Sequence, residues 1–213
     1  GFAQVARKGH SYRCKGGHTM IALPNKKYNI IYADPPWQYN KGVYQDNGRK
    51  DRLLEEQYQT MSKKEIENLP IKKLADKDCA LFLWVTDSHL CDGLELIKKW
   101  GFTYKTIAFV WVKKTNKGNL CANVGSWTMK NTEICLLGTK GNMLKYKNKN
   151  NIFQLVEAER SKHSKKPEEV RKRIEELFPN TYKIELFARQ KAEGWNVWGN
   201  EVESDIHIDI DKI

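Results

Sequence analysis

One short segment constrains this chain more than any other. Tyr28–Ala33 is a largely apolar run of strand length, and Asp34-Pro35-Pro36-Trp37 follows it at once. Two successive prolines lack the backbone donors that a ladder needs, so the chain must leave the sheet at this point. A buried strand that ends abruptly in a polar loop is the usual foundation of a ligand site in open α/β sheets, whose ligands sit beyond the carboxyl ends of the strands.

Similar runs recur along the chain. Ala80–Val85, Lys105–Val112, Glu133–Gly138 and Lys183–Phe187 read as further strands. Helical spacing separates some of them. Ser62-Lys63-Lys64-Glu65 has the form of a capping box opening a short helix toward Leu69. Ser88 is placed to cap a helix carrying Leu90, Leu94, Ile97 and Trp100, which Gly101 stops. Pro167 suits the first turn of a helix with Val170, Ile174 and Leu177 as its buried stripe. Strands alternating with helices predict an α/β fold, a mainly parallel sheet covered on both faces. Trp84, Trp100 and Trp111 are expected in its core.

The polar stretches set the organisation. Residues 1–27 read as an irregular extension, 28–202 as the domain, and 203–213 as a tail that alternates Ile with acid and frays. Residues 38–57 and Lys140–Asn151 read as long loops, the second basic and flexible. The chain starts at Gly1 and not at methionine, with no apolar signal stretch behind it, so the expectation is a domain cut from a longer protein.

Composition narrows the function classes. No apolar run approaches the ~18 residues of a membrane helix. Lys and Arg number 37 against 26 Asp and Glu, a net charge of +11 that favours polyanionic partners, nucleic acid foremost. The five cysteines are odd in number and irregularly spaced, which predicts reduced thiols and an intracellular protein. His10, Cys14 and His18 form a loose cluster without a fourth ligand, so no metal is expected.

The Asp34 loop carries the chemistry. A carboxylate, two proline carbonyls and an indole face together make a receptor for a planar ring bearing an amino group. Adenine's exocyclic amine is a weak nucleophile because its lone pair is delocalised into the ring. Acceptors that hold its N–H bonds favour a more tetrahedral nitrogen and aim the lone pair at an in-line sulfonium methyl. Such catalysis is positioning and electrostatics, with no covalent intermediate.

The run Tyr32-Ala33-Asp34-Pro35-Pro36-Trp37 resembles the signature of the N6-adenine methyltransferases related to the catalytic subunit of the mRNA adenosine methyltransferase, a family with bacterial, phage and ciliate members. The likeness continues through Tyr58–Ser62, Leu81–Thr86, Trp100–Phe102 and Val110–Lys113. It takes in Asn131–Glu133, His163–Pro167 and Glu185–Arg189, and ends at Trp198–Glu201. The resemblance implies a Rossmann-like fold that depends on S-adenosylmethionine, with the catalytic motif ahead of the cofactor motif, a permuted order. It implies that Asp34, Pro35, Pro36 and Trp37 hold the adenine, with Tyr58 and Glu133 lining the acceptor side. Asp34, Lys166, Phe187, Arg189, Asn200 and Glu201 are its implied cofactor contacts, Lys166 pairing with the methionine carboxylate. Taken without the family, Lys166 reads as a solvated charge. Glu201 stands where the mRNA enzyme has Gln, and Ala188–Gly194 departs from that enzyme.

Three classes compete. An intact Asp-Pro-Pro-Trp favours an active adenine methyltransferase over a non-catalytic nucleic-acid-binding paralogue. Cytosine carbon-5 methylation needs a cysteine nucleophile, typically after proline, and none of the five follows one. Methylation of a cytosine amino group is less readily separated. The wording of Phe82–Thr86 and Trp195–Glu201 resembles the bacterial, phage and ciliate branch, so DNA is the expected acceptor and RNA the alternative. The resemblance further implies a heterodimer with an inactive family paralogue and DNA-binding accessory subunits, in the nucleus of a ciliate-like source or the cytoplasm of a bacterial or phage one.

Overall fold

The computed structural model describes residues 26–38, 60–121, 123–125, 127–160 and 165–208. The His10, Cys14 and His18 cluster, Tyr58 and most of the 38–57 loop lie outside them. Seven strands form one sheet: β1 (Tyr28–Ala33), β2 (Ala75–Val85), β3 (Thr103–Lys114), β4 (Thr132–Lys140), β5 (Leu155–Glu159), β6 (Lys183–Leu186) and β7 (Trp195–Trp198). Their order is β5-β3-β4-β2-β1-β6-β7. β1 runs parallel to β2 and β6, β6 to β7, and β3 to β5, while β4 is antiparallel to both β2 and β3. The sheet is therefore mainly parallel, with β4 alone reversed.

β1 lies in the middle with every residue buried, as a strand covered on both faces must. The period of two divides its side chains between two cores. Ile31 and Ala33 join Leu81, Leu83 and Ile184 under α1 (Lys63–Asn68), α2 (Ile71–Leu74) and α3 (Leu90–Lys99). Ile30 and Tyr32 join Phe82, Trp84, Trp111 and Cys135 under α4 (Glu168–Leu177), through Val170 and Ile174. Trp84, Trp100 and Trp111 are buried as expected. Among the described residues no helix is long and apolar enough to cross a membrane.

Local chemistry explains the helix ends. Ser62 caps α1 and Glu65 reaches back to the Ser62 amide at 2.7 Å, the capping box read from sequence. Gly101, at φ 85°, closes α3 in a Schellman arrangement, with Phe102 N–H donating to the Ile97 carbonyl and Gly101 N–H to that of Lys98.

Several expectations are corrected. Ser88 does not cap α3: it lies within the 3-10 turn Asp87–His89, and His89 holds the cap position without a side-chain bond. Lys140–Asn151 is anchored, because Met143 is buried, Lys145 pairs with Asp78 at 2.5 Å and Asn148 N–H bonds the Leu177 carbonyl. Strands β5 and β7 were not legible from the sequence. The tail does not fray at Glu201: Val202, Ile206 and Ile208 are buried. Asp205 accepts Val197 N–H on its carboxylate and donates its own N–H to the Val197 carbonyl, so it covers the open edge of β7.

Candidate active site

β1 is where the connections diverge, with β2 on one side and β6 on the other. The crevice beyond its carboxyl end is thus a topological switch point, and Asp34 is the first residue to enter it. Reversal of β4 brings its amino end, Glu133, to the same rim as the carboxyl ends of β1, β3 and β6. The pleat puts Glu133 on the α4 face with Cys135 and Trp111. Lys166 descends onto that face just before Pro167 and α4.

A chain of alternating charges results. Lys113 Nζ lies 2.5 Å from Glu133, Glu133 lies 3.2 Å from Lys166, and Lys166 lies 2.6 Å from Asp34. Lys113, Glu133 and Lys166 have side chains only 12–13% exposed, against 31% for Asp34. Lys166 is thus no surface charge. Burial opposes its ammonium, but Asp34 and Glu133 outweigh that and hold its pKa above the ordinary lysine value. Burial likewise opposes the Glu133 carboxylate, yet Lys166 and Lys113 hold its pKa below normal. Asp34 has Lys166 as its close cation, and burial keeps its pKa above the usual aspartate value.

The proline carbonyls are already engaged. Pro35 O accepts Trp37 N–H and Pro36 O accepts Met61 N–H, each at 2.9 Å, leaving one lone pair apiece. Trp37 is 8% exposed and stacks on His89, with centroids 5.3 Å apart and planes 16° from parallel. One face of its indole is therefore taken, and its buried N–H has no hydrogen-bond partner.

On the other side of Asp34 lies a narrow cleft lined by Tyr32, Lys166, Glu185, Phe187 and Arg189, among others. Phe187 has φ 62°, a strained conformation for an aromatic residue, which turns the chain sharply out of β6. Its ring packs edge-on against Trp198 at 5.3 Å, so it belongs to the core and to the cleft wall together. Gly199 passes so close to Ala188 that a Cβ there would lie 2.0 Å from the Ala188 carbonyl oxygen. This approach sets Asn200 and Glu201 beside Arg189, whose Nε is 3.7 Å from Glu201.

Sequence reasoning missed Glu185, Arg171 and Lys113. Glu185 stands opposite Tyr32 across the β1–β6 pair, 3.3 Å from Arg171. Burial raises its pKa to about 7 against the pull of Arg171, with Asp34 adding to the rise, and its buried Oε2 lacks a hydrogen bond. The overlooked signal was a charge between Ile184 and Leu186 in a strand that is otherwise core. A roomier hollow, lined by Glu175, Lys183, Gly194 and Trp195 among others, lies at the amino ends of β6 and β7, the end of the sheet away from Asp34. Among the described residues no cluster fit to hold a metal occurs.

The residues fit a ligand bearing a carboxylate, an ammonium and ribose hydroxyls. Lys166 and Arg189 are cations for the first. Asp34 and Glu185, whose Oε2 is ion-paired with Arg171 but outside hydrogen-bond geometry, are acceptors for the others. The cleft as it stands encloses only about 30 Å³.

Known proteins resemble this chain along most of its length. The family model MT-A70 matches residues 28–201. The type II methyltransferase M.MunI of Mycoplasma sp is 36% identical over 192 residues, covering 84% of this chain and 80% of that protein. The human N(6)-adenosine-methyltransferase catalytic subunit METTL3 is 32% identical over 191 residues, covering 88% of this chain but 30% of its own length. A probable N(6)-adenosine-methyltransferase of Oryza sativa subsp. japonica is 33% identical over 181 residues, 83% of this chain and 23% of its own.

Proposed function

The chain belongs to the MT-A70 family, and on that premise we propose that it transfers a methyl group from S-adenosylmethionine to the N6 amine of adenine in nucleic acid, DNA in preference to RNA. The observation that carries the reading is Asp34 at the switch point, a half-buried carboxylate with a cation beside it and a cleft on one side. DNA is favoured by the wording of β2 and β7. It is favoured also by the more extensive likeness to a type II methyltransferase than to proteins named for adenosine, a ribonucleoside.

The cofactor supplies an electrophilic methyl on sulfonium. Lys166 and Arg189 would hold its carboxylate, Asp34 and Glu185 its ammonium and hydroxyls, and Phe187, Asn200 and Glu201 its nucleoside part. On the acceptor side Asp34 would take one N–H of the adenine amine, and the free lone pair of Pro35 or Pro36 the other. Trp37 and Tyr58 would flank the ring, Trp37 through its edge unless its stack with His89 opens. Glu133 would keep Lys166 in place when Asp34 turns to the ligand. A duplex must present its adenine unstacked, because no carboxylate on a sheet rim reaches an amine inside a base stack. The nitrogen's proton leaves after transfer, and Asp34, whose pKa is raised, is the nearest acceptor.

We further infer an inactive family paralogue as partner, with DNA-binding accessory subunits, in a nucleus or a bacterial cytoplasm. The test is tritiated methyl transfer to DNA and RNA of identical sequence, with nucleoside analysis, alone and with such a partner. N6-methyladenine is expected, more in DNA. Consistently greater transfer to RNA across several sequences overturns the polymer assignment. Label on cytosine overturns the reaction. Robust turnover by the purified chain alone overturns the need for a partner.

A further inference from the structure

Between Lys113 and Glu133, both in the charge chain of the site, the polypeptide makes an excursion that the reaction does not use. Its described residues bond to one another and to the strands beside them. Cys121 N–H donates to the Lys113 carbonyl at 2.8 Å, and Lys113 N–H to the Asn131 carbonyl at 2.9 Å. Further out, Asn123 and Lys130 exchange two backbone bonds of 3.0 and 2.7 Å, closing a hairpin. Arg160 braces it through Asn123 at 3.3 Å. Lys130 pairs at 2.8 Å with Asp87, in the turn that ends at His89, the residue stacked on Trp37. Both feet of the hairpin therefore rest on the rim of the adenine site.

The tip contradicts ordinary surface composition. Trp127 is 97% exposed, Val124 84% and Met129 57%. Leu120, at the base, is 54% exposed. A chain does not hold a bare indole on a hydrogen-bonded arm without something to cover it. No Asp or Glu occurs between Lys113 and Glu133, whereas Lys114, Lys117 and Lys130 do, Lys114 pairing with Glu157 at 3.2 Å and Lys130 with Asp87, in a chain of net charge +11. Protein interfaces deplete lysine near their apolar centres, while nucleic-acid surfaces pair cations for phosphate with apolar or aromatic side chains that enter the base stack.

We propose that the Asn123–Lys130 hairpin is a nucleic-acid wedge, in which Trp127, with Val124 and Met129 beside it, enters the base stack at the gap left by the acceptor adenine. The inference rests on the adenine reading above. Trp127 stacks on the neighbouring bases, Lys117 meets a flanking phosphate, and the extruded adenine moves toward Asp34 and Glu133, the second of which closes the excursion. The arm thus lowers the cost of opening a duplex and adds nothing to chemistry on an adenine already unpaired.

The experiment compares the full chain with Trp127→Ala. Binding of a fluorescein-labelled DNA duplex with mismatched adenines is measured against its fully paired counterpart by anisotropy at low salt. Methyl transfer to the same DNA as duplex and as single strand, and S-adenosylhomocysteine affinity, are measured alongside. The variant is expected to lose about ten-fold or more on the mismatched duplex, the scale of one base–aromatic stack. Its S-adenosylhomocysteine affinity and single-strand transfer stay within a few-fold. An unchanged mismatch preference overturns the wedge, and so does an equal loss on duplex and single strand. A change of sedimenting mass in the variant assigns the tip to a protein partner, and overturns it also. Failure of the wild-type chain to methylate any adenine even with the paralogue partner present, while the mismatch effect persists, sinks the adenine reading and leaves the wedge.

Discussion

Lys166 shows how much a residue's meaning depends on its surroundings. Beside Asp34 and Glu133 it is the shared cation of two carboxylates, so Lys166→Ala strips half-buried Asp34 of its close cation and leaves Glu133 to Lys113 alone. A loss of about 1–3 kcal/mol is expected, below the usual cost of breaking a fully buried pair because Lys113 stays on Glu133 and water reaches Asp34. Urea unfolding should show it, with a smaller loss in acid, where both carboxylates protonate; a change under about 1 kcal/mol would contradict the arrangement. Asp34→Ala is milder for stability, since Lys166 keeps Glu133, but should abolish methyl transfer. Turnover within a few-fold of wild type removes Asp34 from the mechanism. Glu185 gives a pH signature. Its folded pKa of about 7 exceeds the ordinary glutamate value of 4.5, so between these the folded state holds the extra proton. Stability contributed by this group is complete below about 4.5 and is lost as pH climbs through about 7. Glu185→Gln should therefore flatten the decline and be the more stable form above neutrality, by at most about 3 kcal/mol. Parallel stability–pH curves for the two proteins would refute it.

Among the elements, the turn out of β6 and its neighbour after β7 govern the cleft. Phe187 accepts left-handed strain there, and Gly199 supplies the bare Cα that lets the β7 exit lie against Ala188. Gly199→Ala must push backbone from backbone, because the obstructing atom is a carbonyl and not a flexible side-chain end. A loss of about 1–3 kcal/mol is expected, as for overpacking elsewhere. S-adenosylhomocysteine affinity should weaken too, as Arg189, Asn200 and Glu201 move apart. Full affinity, measured by calorimetry on the folded variant, would separate this turn from the ligand site. The Ser62 cap and the Gly101 stop were legible beforehand because each is a local pattern within a few residues. Ser88 was misread for the converse reason: a serine beside an apolar run is a cap only if its side chain meets the orphan amides, and the 3-10 turn carries it elsewhere.

At the scale of the molecule, residues 202–208 are part of the body. Ile206 and Ile208 lie in the same core as Ile31 and Leu186, and Asp205 covers β7. Removing residues 203–213 should cost about 3–6 kcal/mol, from two buried isoleucines. A truncated chain with an unchanged thermal midpoint would show that the tail is dispensable. The alternation of Ile with acid resembled a fraying end only because the sequence does not display the surface that receives it.

What the sequence determined by itself was local and periodic. Apolar runs set β1, β2, β3, β4 and β6, a capping box set α1, helical spacing set α3 and α4, and Asp34-Pro35-Pro36-Trp37 marked where the chain leaves the sheet and what it offers there. Those signals are confined to a few adjacent residues, so they survive without tertiary context. The tertiary structure alone decided the reversal of β4. That reversal brings Glu133 and Lys113 to the rim of Asp34 and makes Lys166 a bridge between carboxylates distant in the chain. It also decided that Glu185 titrates near neutrality and that Trp37 is covered by His89. Charge pairing, desolvation and stacking depend on distances through space, and a linear order of residues does not contain them.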